Sequence, residues 1–239
     1  MYYNLIEEIE VNEMNRKIKY VKIGVIVFFL VAFLYLMLKL NIFDKDNIVK
    51  LFSQKNNGLS YDIFFIIVSA ILLVFFVPLS WISLASAIFF GLKGIVLITI
   101  AGLISGIISF SIARIFKEDV SSFVERQYNK KDRKISLQEI YSKISNYGFG
   151  YVLFIRSMPF IPFSILNYIF GISFISFRDF LLSTFISVAV GQSINVYFFY
   201  KAMNIGDSPL DTFIAAALKV IYFFAIIFWE RKSKYSTKE

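Results

Sequence analysis

The sequence predicts an all-α, polytopic membrane protein with about four full transmembrane helices and two opposed, proline-broken re-entrant hairpins. The chain is 58% hydrophobic and only 18% charged, whereas soluble domains are nearer half apolar and a quarter charged. Apolar runs of about twenty residues recur, and each is long enough as a helix to cross a hydrocarbon core of about 30 Å. Prolines interrupt two further apolar stretches, where a straight helix cannot continue.

Four uninterrupted runs are predicted to cross the membrane completely: 21–40, 95–116, 175–200 and 210–229. The first is interpreted as a retained span and not a signal peptide, because it lacks a small-residue cleavage site. Small residues spaced by four mark the second and third runs, and Gly102 and Gly106 form a GxxxG pattern in the second. Such faces allow neighbouring helices to pack closely in a membrane.

The first broken stretch, 62–92, has Pro78 near its middle. As one helix it would be about 46 Å long, too long for a single span, yet it is too short for two spans and a loop. We therefore predict two half-helices that meet near Pro78, followed by an exit turn at Gly91 and Gly94.

The second broken stretch, 148–172, carries Arg156, Pro159 and Pro162. A charge at membrane depth is costly unless it finds water or a partner, and broken backbone is tolerated there only where protein covers it or a wet cavity adjoins it. We predict a hairpin that enters the membrane, turns at the prolines and leaves by the same side, with Arg156 just before its tip.

Charge distribution predicts the orientation. Eight Lys or Arg lie between residues 114 and 143, in a segment (117–146) that is expected to form amphipathic helices on the inner surface. The positive-inside rule then places both termini in the cytoplasm. The predicted organisation is a cytoplasmic segment 1–20, one membrane domain 21–230 and a basic tail 231–239.

Composition also excludes several classes of site. Histidine and cysteine are absent, which rules out imidazole ligands, thiol chemistry and disulfides. We expect no enzyme activity, no cofactor and no metal. The net charge of +8 is explained by basic loops facing anionic lipid, so we predict membrane lipids as partners and no nucleic acid.

One pattern resembles a known family. Its residues are Gly148, Arg156, Pro159, Pro162, Phe163, Asn167, Tyr168 and Gly171, preceded by Pro78, Gly91, Gly94 and Arg114 in the first half. It is similar to the signature of the DedA / SNARE-associated Golgi protein superfamily, or VTT domain, over about residues 60–205. The resemblance implies two opposed re-entrant hairpins and movement of phospholipid or polyprenyl-phosphate carriers between leaflets, with Arg156 binding a lipid phosphate.

Two departures point to one branch of that superfamily. The DedA branch usually has a second arginine six residues after the first, where this chain has Pro162, and it carries acidic residues in its first hairpin, whereas 63–117 has none. The pattern looks more like the branch named for a Golgi vesicle membrane protein. Without an acid or a histidine in the predicted membrane interior, we expect uncoupled, scramblase-like movement or coupling to a gradient other than protons.

Alternatives remain open at this stage. Arg156 is a phosphate ligand, a clamp on carbonyls freed by the prolines, or both, since a guanidinium has five donors. The other candidate lipid-binding residues are Asn167, Tyr168, Ser80, Ser83, Gln192 and Asn195, each with hydrogen bonding within the fold as its competing role. Pro78, Gly91, Gly94, Pro159, Pro162 and Gly171 are predicted to shape the hairpins.

The functional alternatives are a small-anion or solute transporter on the same hairpin plan and a non-catalytic membrane-organising scaffold. A homo-oligomer is compatible with either. The bias towards isoleucine, lysine, asparagine and phenylalanine suggests an AT-rich bacterial genome, and hence a plasma membrane.

Overall fold

The structure is a computed structural model that describes residues 58–130, 135–158, 161–206 and 208–232, with side chains to residue 229. The predicted N-terminal segment 1–20 and first span 21–40 lie outside the described residues. So do Pro159, residues 131–134 and most of the basic tail.

Helices make up nearly all of the described ranges, and no strand occurs in them, so the all-α fold class is confirmed. In chain order they are α1 (Leu59–Val74), α2 (Leu79–Phe90), a 3-10 turn (Gly91–Lys93), α3 (Gly94–Ile115), α4 (Lys117–Asn129), α5 (Leu137–Ser157), α6 (Phe163–Ile172), α7 (Phe177–Met203) and α8 (Pro209–Lys232).

Three helical stretches in the described part are long and apolar enough to cross a membrane: Leu79–Ile115, Phe177–Met203 and Pro209–Trp229. They overlap the predicted spans 95–116, 175–200 and 210–229. The first stretch reverses direction, because a Cβ added to Gly94 would lie 2.6 Å from the carbonyl oxygen of Ser86. Residues eight apart in a straight helix are about 12 Å apart, so α2 folds back towards α3 and the stretch is not one straight helix.

The first broken segment, which we define as α1, residues 75–78 and α2, has the predicted half-helices. Pro78 (φ −60°) is the N-cap of α2, a position where its missing N–H is not needed. Phe76 adopts a positive φ of 68° in the break. Gly91 ends α2 with φ 57° and ψ −135°, a conformation that favours glycine.

The second broken segment, which we define as residues 149–172, repeats this plan. Pro162 (φ −58°) is the N-cap of α6, and Arg156 lies one residue before the end of α5. Gly148 has non-helical angles (φ 51°, ψ −128°) and kinks α5. The kink separates a surface part of α5, which follows the amphipathic α4, from the arm that carries Arg156.

The long helix α3 is the centre of the described fold. Its predicted small face is buried, with Ala101, Ser105, Ser109 and Ala113 all at 0% exposure. The first arm of each broken segment packs on the long helix that follows it, α1 on α3 and α5 on α7. The second arms are exchanged between the two long helices. The arm α2 packs on α7, which follows the other broken segment, and α6 packs on α3.

The ends of the two broken segments lie at opposite ends of α3. At its start, Asp62 Oδ2 of α1 is 2.6 Å from Lys93 Nζ. At the C-terminal end of α3, Arg114 Nη2 donates to the carbonyl of Ile175, just after α6, at 2.8 Å. The two segments therefore approach the middle of the fold from opposite directions.

Candidate functional site

The Arg156 guanidinium is the centre of the candidate site. Its Nη2 donates to Oδ1 of Asn167 at 2.8 Å, across the break between α5 and α6. Its Nε and Nη1 atoms are buried, and neither has a hydrogen-bond partner among the described residues. Buried donors are nearly always satisfied in proteins, so two unmet donors on one cation favour an acceptor from a ligand or water as their partner.

Three phenylalanine rings surround this guanidinium. Its Cζ atom lies 4.8 Å from the ring centroid of Phe170, 4.9 Å from that of Phe180 and 5.5 Å from that of Phe163. Rings within about 6 Å attract a cation through their negative faces. They stabilise the charge without neutralising it, since they carry no net charge.

No carboxylate pairs with Arg156 in the part of the chain that the structure describes. The ion pairs recorded there join Lys93 to Asp62, Lys143 to Glu139 and Lys201 to Asp211. Arg156 therefore keeps a net positive charge in an apolar setting, which favours an anion as the missing partner.

Asn167 is placed by α6 beside α3. It is fully buried, and a Cβ added to Gly106 would lie 3.7 Å from Asn167 Oδ1. Its Nδ2 also lacks a partner among the described residues. Arg156 and Asn167 together offer three N–H-bearing atoms without a partner among the described residues.

The breaks of the two segments contact each other next to this site. Ser164 Oγ donates to the carbonyl of Leu73 at 2.5 Å, and Tyr168 OH donates to that of Val74 at 3.2 Å. The Tyr168 ring also stacks on Phe76, with centroids 5.3 Å apart. These bonds reach carbonyls at the end of α1, where intrahelical partners are lacking. Tyr168 therefore joins the two broken segments by hydrogen bonding within the fold, the role that competes with lipid binding.

Removing both hydroxyls, with Ser164→Ala and Tyr168→Phe, should weaken the fold. Tyr168→Phe removes the bond to the Val74 carbonyl, and Ser164→Ala leaves the Leu73 carbonyl only the longer bond from the Phe76 N–H at 3.3 Å. Each lost hydrogen bond costs about 1 kcal/mol. Thermal unfolding of the purified protein should show additive losses in the double variant. Ser142→Ala removes an exposed hydroxyl and is the control. Equal melting temperatures for the wild type, the double variant and Ser142→Ala would contradict the assignment.

A second polar group links α2 and α7. Ser83 Oγ donates to Oε1 of Gln192 and back-bonds to the carbonyl of Leu79 at 2.9 Å. Asn195 Nδ2 reaches the same Gln192 oxygen at 3.4 Å. These three predicted residues are brought together, but by hydrogen bonds within the fold. Ser80, one turn earlier on α2, is exposed.

The predicted glycines serve close packing. Gly94 contacts the backbone of Ser86, and a Cβ on Gly171 would lie 2.5 Å from both the Ala113 Cβ and the Phe110 carbonyl oxygen. Gly91 additionally needs its positive φ.

Two residues with notable contacts, Phe180 and Asp62, were not predicted from the sequence. Phe180 of α7 forms part of the ring cage, and no local pattern linked it to Arg156, 24 positions earlier. Asp62 lies one residue before the acid-free stretch 63–117; it is buried, at 8% exposure, and its Oδ1 has no partner among the described residues. An acidic residue in the first turn of an apolar helix was the sequence feature that could have identified Asp62 as a candidate.

A model of the VTT domain matches residues 77–201, just over half of the 239-residue chain. Searches of curated proteins and of solved structures returned no match. The matched region runs from the first break to the end of α7 and includes the Arg156 site. The chain is a member of the VTT-domain family, also called the DedA/SNARE-associated Golgi protein family, and its apolar helices are those of a membrane protein.

Proposed function

We propose that this protein moves lipids with a phosphate head group, phospholipid or polyprenyl phosphate, between the leaflets of the cell membrane. Arg156 binds the phosphate. The observation that carries the proposal is a buried guanidinium with two unpartnered nitrogen atoms and no acidic partner among the described residues.

The chemistry of the site suits a phosphate. Arginine presents several donors in a planar fork that matches the oxygens of a phosphate, and charge-assisted hydrogen bonds of this kind are among the strongest in proteins. Asn167 Nδ2 adds a neutral donor beside the cation. No acceptor-rich group near Arg156 competes with such a ligand in the described part of the chain.

The surroundings suit a lipid. The rings of Phe163, Phe170 and Phe180 make an apolar wall around the cation, and the site lies where two broken segments meet from opposite directions. Broken helices that meet near the bilayer midplane are the usual setting of substrate sites in transporters built from inverted repeats.

The test is reconstitution of the full-length protein in liposomes with a fluorescent phospholipid. We expect loss of leaflet asymmetry to be faster than in protein-free vesicles, and at least tenfold slower with Arg156→Lys, because lysine keeps the charge but loses the fork. Arg178→Lys is the matched control, since Arg178 is exposed near the start of α7.

Two results would reject the proposal. One is lipid movement no faster than in empty vesicles. The other is full movement with Arg156→Lys at equal incorporation. A chloride or phosphate flux that depends on Arg156 in the same vesicles, without lipid movement, would instead identify a small-anion transporter. Movement that requires an imposed proton gradient would contradict the uncoupled mechanism expected from the absence of acidic residues in 63–117.

A further inference from the structure

Lys219 on α8 is a second cation inside an apolar helix, and we propose that it is a second binding station for a lipid phosphate. This inference rests on the proposed function. It adds a site towards the other end of α7 from Arg156.

Lys219 lies at the centre of its helix. The apolar stretch Pro209–Trp229 is long enough to cross a membrane, and Lys219 is ten residues, or about 15 Å, from either end. The side chain extends towards the end of α7, where the ammonium lies over Phe198 and Phe199. An ionisable residue within an apolar span points to a functional site, because its burial in lipid is costly.

The surroundings of Lys219 hold a charge without cancelling it. Nζ lies 4.4 Å from the ring centroid of Phe198 and 4.9 Å from that of Phe199. Among the described residues it has no ion pair and no hydrogen bond. The side chain is half-buried, so part of the ammonium side chain stays open to a ligand from the bilayer.

Ring contacts on α7 show where Lys219 lies relative to Arg156. Arg156 lies over Phe180, and Lys219 lies over Phe198. These rings are 18 residues apart on one helix, which is about 27 Å. The two cations therefore contact opposite halves of α7.

The α7 surface between these two contacts is small and polar. Ser183, Ser187, Gly191 and Asn195 follow at intervals of four, and the next position is Phe199. Tyr222 of α8 brings its hydroxyl near this row, 3.5 Å from where a Gly191 Cβ would be. The Ser183 and Ser187 hydroxyls donate to carbonyls of α7 itself, at 3.0 and 3.2 Å, so this row is a close-packing face of the helix.

The expected ligand is a phosphate monoester or diester on a lipid. A lysine ammonium is a compact charge without a fixed fork, so it should hold a phosphate more loosely than Arg156 does. Loose binding suits a station from which the head group is released.

The test counts lipids bound to the purified full-length protein by native mass spectrometry. The probes are a short-chain phosphatidylglycerol, diacylglycerol with the same chains but no phosphate, and inorganic phosphate. We expect Lys219→Gln to lose one phosphatidylglycerol or to weaken its binding at least tenfold, and Lys219→Arg to retain it. Diacylglycerol should bind equally to all variants.

Lys201→Gln is the matched control. Lys201 lies at the same end of α7, but its charge is already paired with Asp211 at 2.6 Å, so phosphatidylglycerol binding should be unchanged. Wild-type binding by Lys219→Gln would overturn the proposal. So would binding of inorganic phosphate, but not of the lipid, through Lys219.

Arg156→Gln separates the two claims. If it loses a bound lipid while Lys219→Gln loses none, the first site stands and the second fails. If Arg156→Gln keeps both lipid binding and lipid movement, the proposed function fails at Arg156. A lipid lost only in Lys219→Gln would still support the second station.

Discussion

Replacing Asn167 by aspartate is expected to abolish phosphate-lipid binding at Arg156 and the proposed lipid movement, while the protein stays folded. Asn167 Oδ1 already accepts a hydrogen bond from Arg156 Nη2 at 2.8 Å. A carboxylate in the same place would become the acid that Arg156 lacks. It would also replace the unpartnered Nδ2 donor with an acceptor that repels a phosphate.

The expected size of the effect is large. Two unit charges about 4 Å apart near a protein surface interact by about 4 kcal/mol, and every 1.4 kcal/mol changes an equilibrium constant tenfold. Phosphatidylglycerol affinity should therefore fall by more than a hundredfold. The same purified protein should melt no lower than wild type, because the new pair is formed with a group that is already in contact.

Asn146→Asp provides the control. Asn146 is exposed on α5, before the kink, so the same chemical change should leave lipid affinity within about twofold. Undiminished lipid binding by Asn167→Asp would show that Arg156 is a structural clamp and that the phosphate binds elsewhere.

Gly171→Ala is expected to cause the largest loss of stability from a single methyl group. The added Cβ would lie 2.5 Å from the Ala113 Cβ and from the carbonyl oxygen of Phe110. Neither neighbour can rotate away, because one is a backbone atom and the other is joined directly to the backbone. Overpacking of this kind costs about 3 kcal/mol.

That cost should lower the apparent melting temperature by about 6–12 °C. Gly206→Ala is the control, because nothing lies within 4 Å of its added Cβ. Equal melting of the two variants would mean that α6 does not pack on α3 as described.

The sequence predicted the parts of this fold that depend on local chemistry. Pro78 and Pro162 each remove a backbone donor, so helix ends at these positions follow from covalent structure. The four-residue spacing of small side chains predicted the buried face of α3. Arg156 and Asn167 were both predicted, since a charge and an amide in an apolar run are costly wherever they lie.

The contacts that complete the site depend on which helices become neighbours. The packing of α5 on α7 brings Phe180 to Arg156. The exchange of α2 and α6 between α7 and α3 brings Ser83 to Gln192 and Ser164 to the carbonyl of Leu73. Side-chain spacing within one helix carries no information on that exchange. For the same reason, the sequence predicted that Ser83 and Gln192 were polar candidates but not that they bond to each other.

Gly148 determines the direction of the arm that carries Arg156. The region around a Cβ at this glycine is empty within 4 Å, whereas α6 is fixed to α3 by the close approach at Gly171. The arm from 149 to 157 is instead packed against α7 and buries Tyr151, Val152 and Ile155. The positive φ of one glycine therefore sets the direction from which the guanidinium approaches Asn167 and Phe180.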